Sequence, residues 1–488
     1  MPIKRCMKTV ERWNILELEL QGPETGNPFC DVTVKCSFTQ KRRTLILEGF
    51  YDGGGVYKVR FMPDTPGTWI YLTSSSCPEL DGFRGEFDCV EASASNHGPV
   101  RVRNTYHFAY EDGIPYYPFG TTCYAWIHQG EDMEKQTLKT LKKAPFNKIR
   151  MCIFPKHYDY NHNEPEYYPF EGSLEKGWDF ERFNPDFFRH LEIRIKDLKD
   201  MGIEADLILF HPYDKWGFAK MDSKADDRYL QYIVARLAAF RNIWWSFANE
   251  YDLMSKSLSD WERLARIVTE KDPYQHLRSI HNCIPFYDHG RPWVTHCSIQ
   301  RVDVYKTAEL ANEWRERYRK PVVIDECAYE GNINHGWGNI SGMELTRRFW
   351  EGTVRGAYVG HGETYVHPEE VLWWSKGGLL YGSSPERIAF LRRIVEEGPS
   401  QGINLLPKTS PYDWDIPCGG VEGKYYLFYF GFYQPSFRIF RMPQGLKLKV
   451  DVIDTWNMTI LELPDIYEGE FRIELPDRLY MAVRMRMV

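Results

Sequence analysis

The chain has 488 residues, 43% of them hydrophobic, and a net charge of -7 from 61 basic and 68 acidic side chains. Charges of both signs are interspersed, which argues against a nucleic-acid or anionic-membrane partner, and no run of about 18 apolar residues exists to span a bilayer. The length allows about three domains, or one barrel of about 250 residues with additions.

The N-terminus, Met1-Pro2-Ile3-Lys4-Arg5, leads into Glu11 and Arg12 without an apolar stretch, so no signal peptide is expected. The 11 cysteines are scattered, odd in number and without a C-x-x-C pair. Cys152, Cys297 and Cys327 fall in apolar runs, where a thiol acts as a small hydrophobe, and a reduced, cytoplasmic protein is expected. Residues 1–96 read as a β-sandwich: Ile15 to Leu20, Val32 to Cys36 and Val56 to Phe61 alternate, and Gly/Pro clusters separate them. Residues 97–400 change to apolar runs alternating with helical patterns, and residues 401–488 return to strands such as Lys424 to Phe430 and Lys447 to Ile453, a second small β-domain.

Eight strands are predicted in the middle segment, at 117–125, 147–154, 203–210, 242–249, 278–282, 294–299, 321–326 and 357–361. The helices between them are punctuated by Asn184-Pro185, by capping boxes at Ser259/Glu262 and Ser341/Glu344, and by Ser384-Pro385. Only 283–293 lacks a helical pattern. The fold class is therefore α/β: a (β/α)8 TIM barrel flanked by an N-terminal β-sandwich and a C-terminal β-domain. A doubly wound sheet is the alternative, with no Gly-rich phosphate loop to support it.

In such a barrel the C-terminal strand ends form the site. Strand two supplies Arg150 and then His157; strand three His211 and Tyr213; strand four Asn249-Glu250; strand five His281; strand six His296 and Gln300; strand seven Asp325-Glu326 and Tyr329; strand eight His361 and Glu363, followed by Trp373-Trp374. Two carboxylates on opposite strands suit glycosidic bond cleavage, with Glu250 as acid/base and Glu326 as nucleophile. Burial and a neighbouring charge should raise the Glu250 pKa, and Arg150 should keep Glu326 ionised. Alternation allows only one of Asp325 and Glu326 to face the axis, and the strand end favours Glu326. Arg150, His157, His211, Tyr213, Asn249, His281, His296, Tyr329, His361, Glu363, Trp373 and Trp374 are expected to bind substrate, with Asn249 on a sugar hydroxyl and Trp373 or Trp374 as a platform, while Gln300 is placed at the rim without a role. Tyr158, His162, Tyr167, Tyr168 and Trp178 lie in a long loop, 155–183, that either covers the site or packs on the N-terminal sandwich.

The runs Phe183 to Phe188, Leu207 to Asp214, Trp244 to Asp252 and Gly360 to Glu363, with Ile453 to Thr459 near the C-terminus, resemble the apiosidase-like subgroup of clan A glycoside hydrolases. The resemblance implies a barrel between two β-domains, a retaining mechanism and an equatorial leaving group, hence a β-D-glycoside or an α-L-arabinofuranoside. Apiosidases proper place Asp where this chain has Glu250, so the apioside substrate does not carry over. The expected partner is an oligosaccharide or glycoside, and the aromatic-rich sandwich could support a homo-oligomer. Two other classes compete. One is a carbohydrate-binding protein on an inactive barrel, against which the intact Glu250/Glu326 pair argues. The other is a metal-dependent hydrolase using His211, His281 and His296. No H-x-H pair closes strand one, so neither a metal nor another cofactor is expected.

Overall fold

The computed structural model describes residues 8–366 and 371–488. Its N-terminal part is two facing sheets. One has five strands, in the order Lys8–Glu11, Arg84–Val90, Gly67–Ser75, Val34–Gln40, Arg43–Glu48; the other has three, Leu16–Gln21, Val56–Phe61 and Phe50–Tyr51. Alternation along Val56–Phe61 turns Tyr57, Val59 and Phe61 into the sandwich, where Phe61 stacks on Phe38 at 4.2 Å.

The other face of that strand carries Lys58 and Arg60 against the barrel. Arg60 Nη2 donates to Glu192 Oε2 (2.8 Å), Arg236 Nε to Glu192 Oε1 (2.7 Å) and Arg236 Nη1 to Asp52 Oδ1 (2.8 Å). All four side chains are buried or nearly so. Removing one partner of such a cluster strands the others without compensation. Arg236→Met is thus expected to cost about 3–5 kcal/mol of stability, read as a lower midpoint of urea unfolding; an unchanged midpoint would show that the cluster carries no stability.

All eight predicted barrel strands form: Gly120–Thr122, Lys148–Cys152, Glu204–Phe210, Ile243–Ala248, Arg278–Ser279, Cys297–Gln300, Val322–Glu326 and Tyr358–His361. They run parallel, and backbone ladders join each to the next except at the seam between the fifth and sixth. A backbone bond and several side-chain bonds close that seam. Arg278 N donates to Thr295 Oγ1 (2.7 Å) and Thr295 N to Arg278 O (2.9 Å). Higher up, Asn282 Nδ2 donates to Gln300 O (3.1 Å) and Gln300 N to Asn282 Oδ1 (3.3 Å).

Helices Glu131–Leu141, Pro185–Asp200, Ser223–Leu237, Leu258–Lys271, Ala311–Tyr318, Gly342–Val354 and Ser384–Glu396 surround the strands, and 283–293 has none. Asn184 caps its helix as expected. The capping box of the Leu258 helix is Ser257/Asp260 instead of Ser259/Glu262, and Ser341 caps alone because the Glu344 carboxylate is taken by Arg347 and Arg348. The lower mouth of the barrel is plugged by the hairpin strands Val100–Arg103 and His107–Tyr110, whose Phe108 ring meets Trp244 at 5.3 Å.

The C-terminal part is a six-stranded sheet, in the order Asn404–Leu405, Cys418–Val421, Tyr425–Tyr429, Met481–Met487, Leu448–Asp454, Thr459–Tyr467, faced by the two-stranded antiparallel sheet of Phe437–Arg441 and Glu470–Glu474. It packs on the barrel through Tyr429, stacked on Trp350 at 5.5 Å.

Candidate active site

The fourth strand ends at Ala248, and Asn249 and Glu250 follow at the mouth. Glu250 adopts φ +54°, a left-handed backbone that costs a side-chain-bearing residue about 1–3 kcal/mol and persists only where surroundings enforce it. Here the flanking amides are tied down: Asn249 N donates to Phe210 O (3.0 Å) and Tyr251 N to His281 O (2.9 Å). The bend turns the Glu250 carboxylate inward. It accepts from the Tyr213 hydroxyl, from Asn249 Nδ2 (3.3 Å) and, with the amide oriented to donate, from Gln300 Nε2 (3.2 Å).

Glu326 closes the seventh strand. Its Oε1 accepts from the Tyr124 hydroxyl and from Arg150 Nη1 (3.4 Å). The same two donors reach Asn249 Oδ1, at 3.0 and 3.1 Å. Tyr124, Arg150 and Asn249 thus join both carboxylates in one network. Burial first, and then the Glu250 charge, push the Glu326 carboxyl up to about 7, against the pull of Arg150 and Tyr124.

Asp325 also points inward, contrary to the expectation that only one of the two acids could. Between Ser298/Val323 and Gln300/Glu326 the seventh strand carries one residue more than the sixth, a bulge that breaks the alternation. Asp325 therefore enters the polar layer below the mouth, where it accepts from Lys148 Nζ (2.8 Å) and Ser298 Oγ (2.6 Å), while Glu326 reaches the mouth.

Glu250 and Glu326 open onto a cavity of about 530 Å³. Of the residues expected to bind substrate, Tyr213, Asn249, Tyr329 and Trp374 line it. Arg150 lies directly beneath, 1% exposed. A Cβ at Gly362 would collide with the Tyr329 ring, so glycine there lets Tyr329 reach its place.

The other expected binding residues sit elsewhere. His157 faces His162 and Trp216, its Nε2 3.4 Å from His162 Nδ1. His211 Nε2 is bonded to Phe154 O (3.1 Å), and burial lowers its pKa to about 3. His281 is fully buried under the site, its Nε2 3.7 Å from Glu326 Oε1, with its pKa held well below the usual range by burial. His296 precedes its strand instead of ending it, and packs at the lower mouth against Trp244 and Phe108. His361 stacks on Phe146 at 4.5 Å, and its Nδ1 shares Thr121 Oγ1 (2.9 Å) with Trp373 Nε1 (2.8 Å), which fixes both away from the cavity. The Glu363 carboxylate accepts from the amides of Tyr381 (2.5 Å) and Gly382 (2.8 Å), binding a loop and not sugar. Among the described residues no three His, Cys, Asp or Glu side chains are grouped to hold a metal ion.

Sequence reasoning missed Tyr124, Lys156, Gln300 and Trp337 as wall residues. Tyr124 and Gln300 stand at strand ends and were accessible to the same rule that located Glu250; Trp337 lies in a loop without any periodic signal. The long loop divides. Tyr158 and Tyr160 enter the cavity wall, whereas Tyr168 meets Trp178 at 4.8 Å, Trp178 meets Phe218 at 5.4 Å, and Arg182 Nη2 donates to Gly26 O of the N-terminal sandwich (2.6 Å).

Among parallel barrels, two acids tied into one donor network and facing an aromatic-walled cavity at the C-terminal mouth serve glycosidic bond cleavage, and the protein is a glycoside hydrolase. Residues 102–379, more than half the chain, match the apiosidase-like catalytic domain, and the chain belongs to that family. Two domains of unknown function flank it, DUF5060 over 9–76 and DUF5605 over 414–486. A crystal structure of a candidate glycoside hydrolase from Bacteroides vulgatus is similar at TM-score 0.94 and 40% identity, over 99% of this chain and 100% of its own. A family 5 glycoside hydrolase from Bacteroides vulgatus shares the fold at TM-score 0.61 and 15% identity, over 80% of this chain and 94% of its own. A further glycoside hydrolase does so at 0.62 and 14%, over 80% and 97%. No functionally curated protein matches the chain.

Proposed function

We propose that this glycosidase retains anomeric configuration, acting on a β-D-glycoside or an α-L-arabinofuranoside. The observation that carries the reading is the shared network. Tyr124 and Arg150 each reach Glu326 Oε1 and Asn249 Oδ1, and Asn249 Nδ2 reaches Glu250, so a single residue links the two carboxylates, which supports the short separation that direct attack on the sugar requires.

In the first step Glu326 Oε2 bonds the anomeric carbon while the glycosidic C–O bond breaks and the Glu250 proton passes to the leaving oxygen. In the second, Glu250 takes a proton from water, the water oxygen bonds the anomeric carbon, and the ester to Glu326 breaks. Tyr124 and Arg150 hold Oε1 and neutralise the carboxylate as it is released. Asn249, already oriented by both donors, offers its amide to the sugar 2-hydroxyl. A cavity of about 530 Å³ suits exo-action on a small glycoside or the end of an oligosaccharide. A cytoplasmic setting is part of the reading, supported by free thiols at Cys36, Cys123, Cys152, Cys297 and Cys327.

The test is the configuration of the first-formed sugar, followed by NMR during turnover of a panel of aryl glycosides. Retention is expected; release of the opposite anomer would overturn the double displacement.

A further inference from the structure

Lys156 follows the second barrel strand and is 1% exposed. Its ammonium stands over four rings, 3.6 Å from the centroid of Tyr124, 4.2 Å from Tyr213, 4.4 Å from Tyr158 and 5.3 Å from Trp374. Among the described residues it makes no hydrogen bond and no ion pair. Lys148, equally buried, shows the ordinary solution, with Asp206 at 2.7 Å and Asp325 at 2.8 Å. The rings offset part of the cost of taking an ammonium out of water, but they accept none of its three N–H groups in the way a carboxylate does.

The position of this cation is tied to the reacting bond. Tyr124 and Tyr213 present their faces to Lys156 and their hydroxyls to Glu326 and Glu250, so the same two residues place the ammonium and both carboxylates. Lys156 lines the same cavity as that pair. Neither catalytic carboxylate bonds it: Tyr213 and Asn249 donate to Glu250 Oε2, and Tyr124 and Arg150 to Glu326 Oε1. A neutral sugar hydroxyl could be held by the amides and phenols already present. A cation kept without an anion calls for an anionic ligand.

We propose that Lys156 is a specificity-determining residue, whose ammonium pairs with the carboxylate of an acidic glycone, so that the pocket takes a hexuronosyl group in preference to the neutral hexosyl group of the same configuration. The inference rests on the glycosidase reading for where the sugar sits. Burial lowers the Lys156 pKa, and the charges of Glu250 and Glu326 oppose that; a substrate carboxylate adds to their side of the balance.

The test is calorimetric titration of the full-length protein with D-glucuronate, D-galacturonate, D-mannuronate and L-iduronate, each beside its neutral hexose. At least one acid is expected to bind at least about tenfold more tightly than its neutral counterpart, in the manner of a site built for a polar group its rival lacks. Lys156→Met should erase that ratio, weakening the acid's binding by a larger factor than the neutral sugar's. If that variant fails to fold, Lys156→Gln serves, since it keeps a donor and removes the charge. No acid exceeding its neutral partner, or a ratio that survives the loss of charge, would overturn the proposal. Free sugar acids undergo no turnover, so the binding ratio stands or falls separately from the anomeric test of the mechanism.

Discussion

Glu326→Ala is expected to lower kcat/KM for an activated aryl glycoside by at least about 10⁴-fold, the scale on which hydrolases lose their nucleophile. Without that carboxylate no bond forms to the anomeric carbon, and the residual rate comes only from binding and the remaining electrostatics. The substitution also vacates space beside the sugar and leaves Arg150 as a cation facing the gap. Azide fits that description and should restore turnover on substrates whose leaving group needs no proton. The product should be a glycosyl azide of configuration opposite to the substrate, since azide attacks once and nothing follows. Absence of rescue, with folding verified by circular dichroism, would remove Glu326 from the nucleophile's role.

For Glu250→Gln the informative variable is pH. Burial, and then the charge of Glu250, place the Glu326 carboxyl at about 7, so the last proton held by the pair leaves near that value. In the proposed double displacement the working form carries one proton between the two acids. The native kcat/KM should therefore fall as pH rises through about 7, a property of the pair whichever acid holds the proton at rest. Glutamine removes the charge that helps to raise the Glu326 pKa, and Glu326 then ionises at lower pH. On a substrate with a good leaving group, the variant should lose its alkaline decline and stay active above pH 7. On a poor leaving group it should lose about 10²–10⁴-fold. An alkaline limb that persists unchanged in the variant would separate Glu250 from the titration.

The barrel was legible because most of its strands lie in short apolar runs that alternate with helical patterns, and the strand-end rule located Glu250, Glu326, Tyr213 and Asn249 by height alone. Height is only one of two coordinates. His361 ends its strand as Glu326 does, yet its side chain turns to Phe146 and Thr121, and nothing in a period-two pattern reports which parity faces the axis. Asp325 shows the opposite failure: a one-residue bulge sends it inward beside Glu326, and a bulge leaves no mark in composition. His296 fell on the wrong side because its strand begins after it and not before. Lys156 escaped notice for another reason. A lysine next to a strand end reads as a solvated rim charge, and only the convergence of four rings from four separate segments makes it a buried one.

The seam between the fifth and sixth strands has a further consequence. Gln300 closes it through the Asn282 side chain, and the amide of the same Gln300 reaches both Asn282 O (3.1 Å) and Glu250 Oε1 (3.2 Å). One residue, through its main chain and its amide, thus takes part both in closing the ring and in orienting Glu250. The connection from 283 to 293, without a helix, is where insertions and deletions would otherwise be tolerated most easily. Its length is free to drift in descendants of this chain only insofar as Asn282 and Gln300 still meet, because a slip there would unlatch the ring and misdirect the acid together.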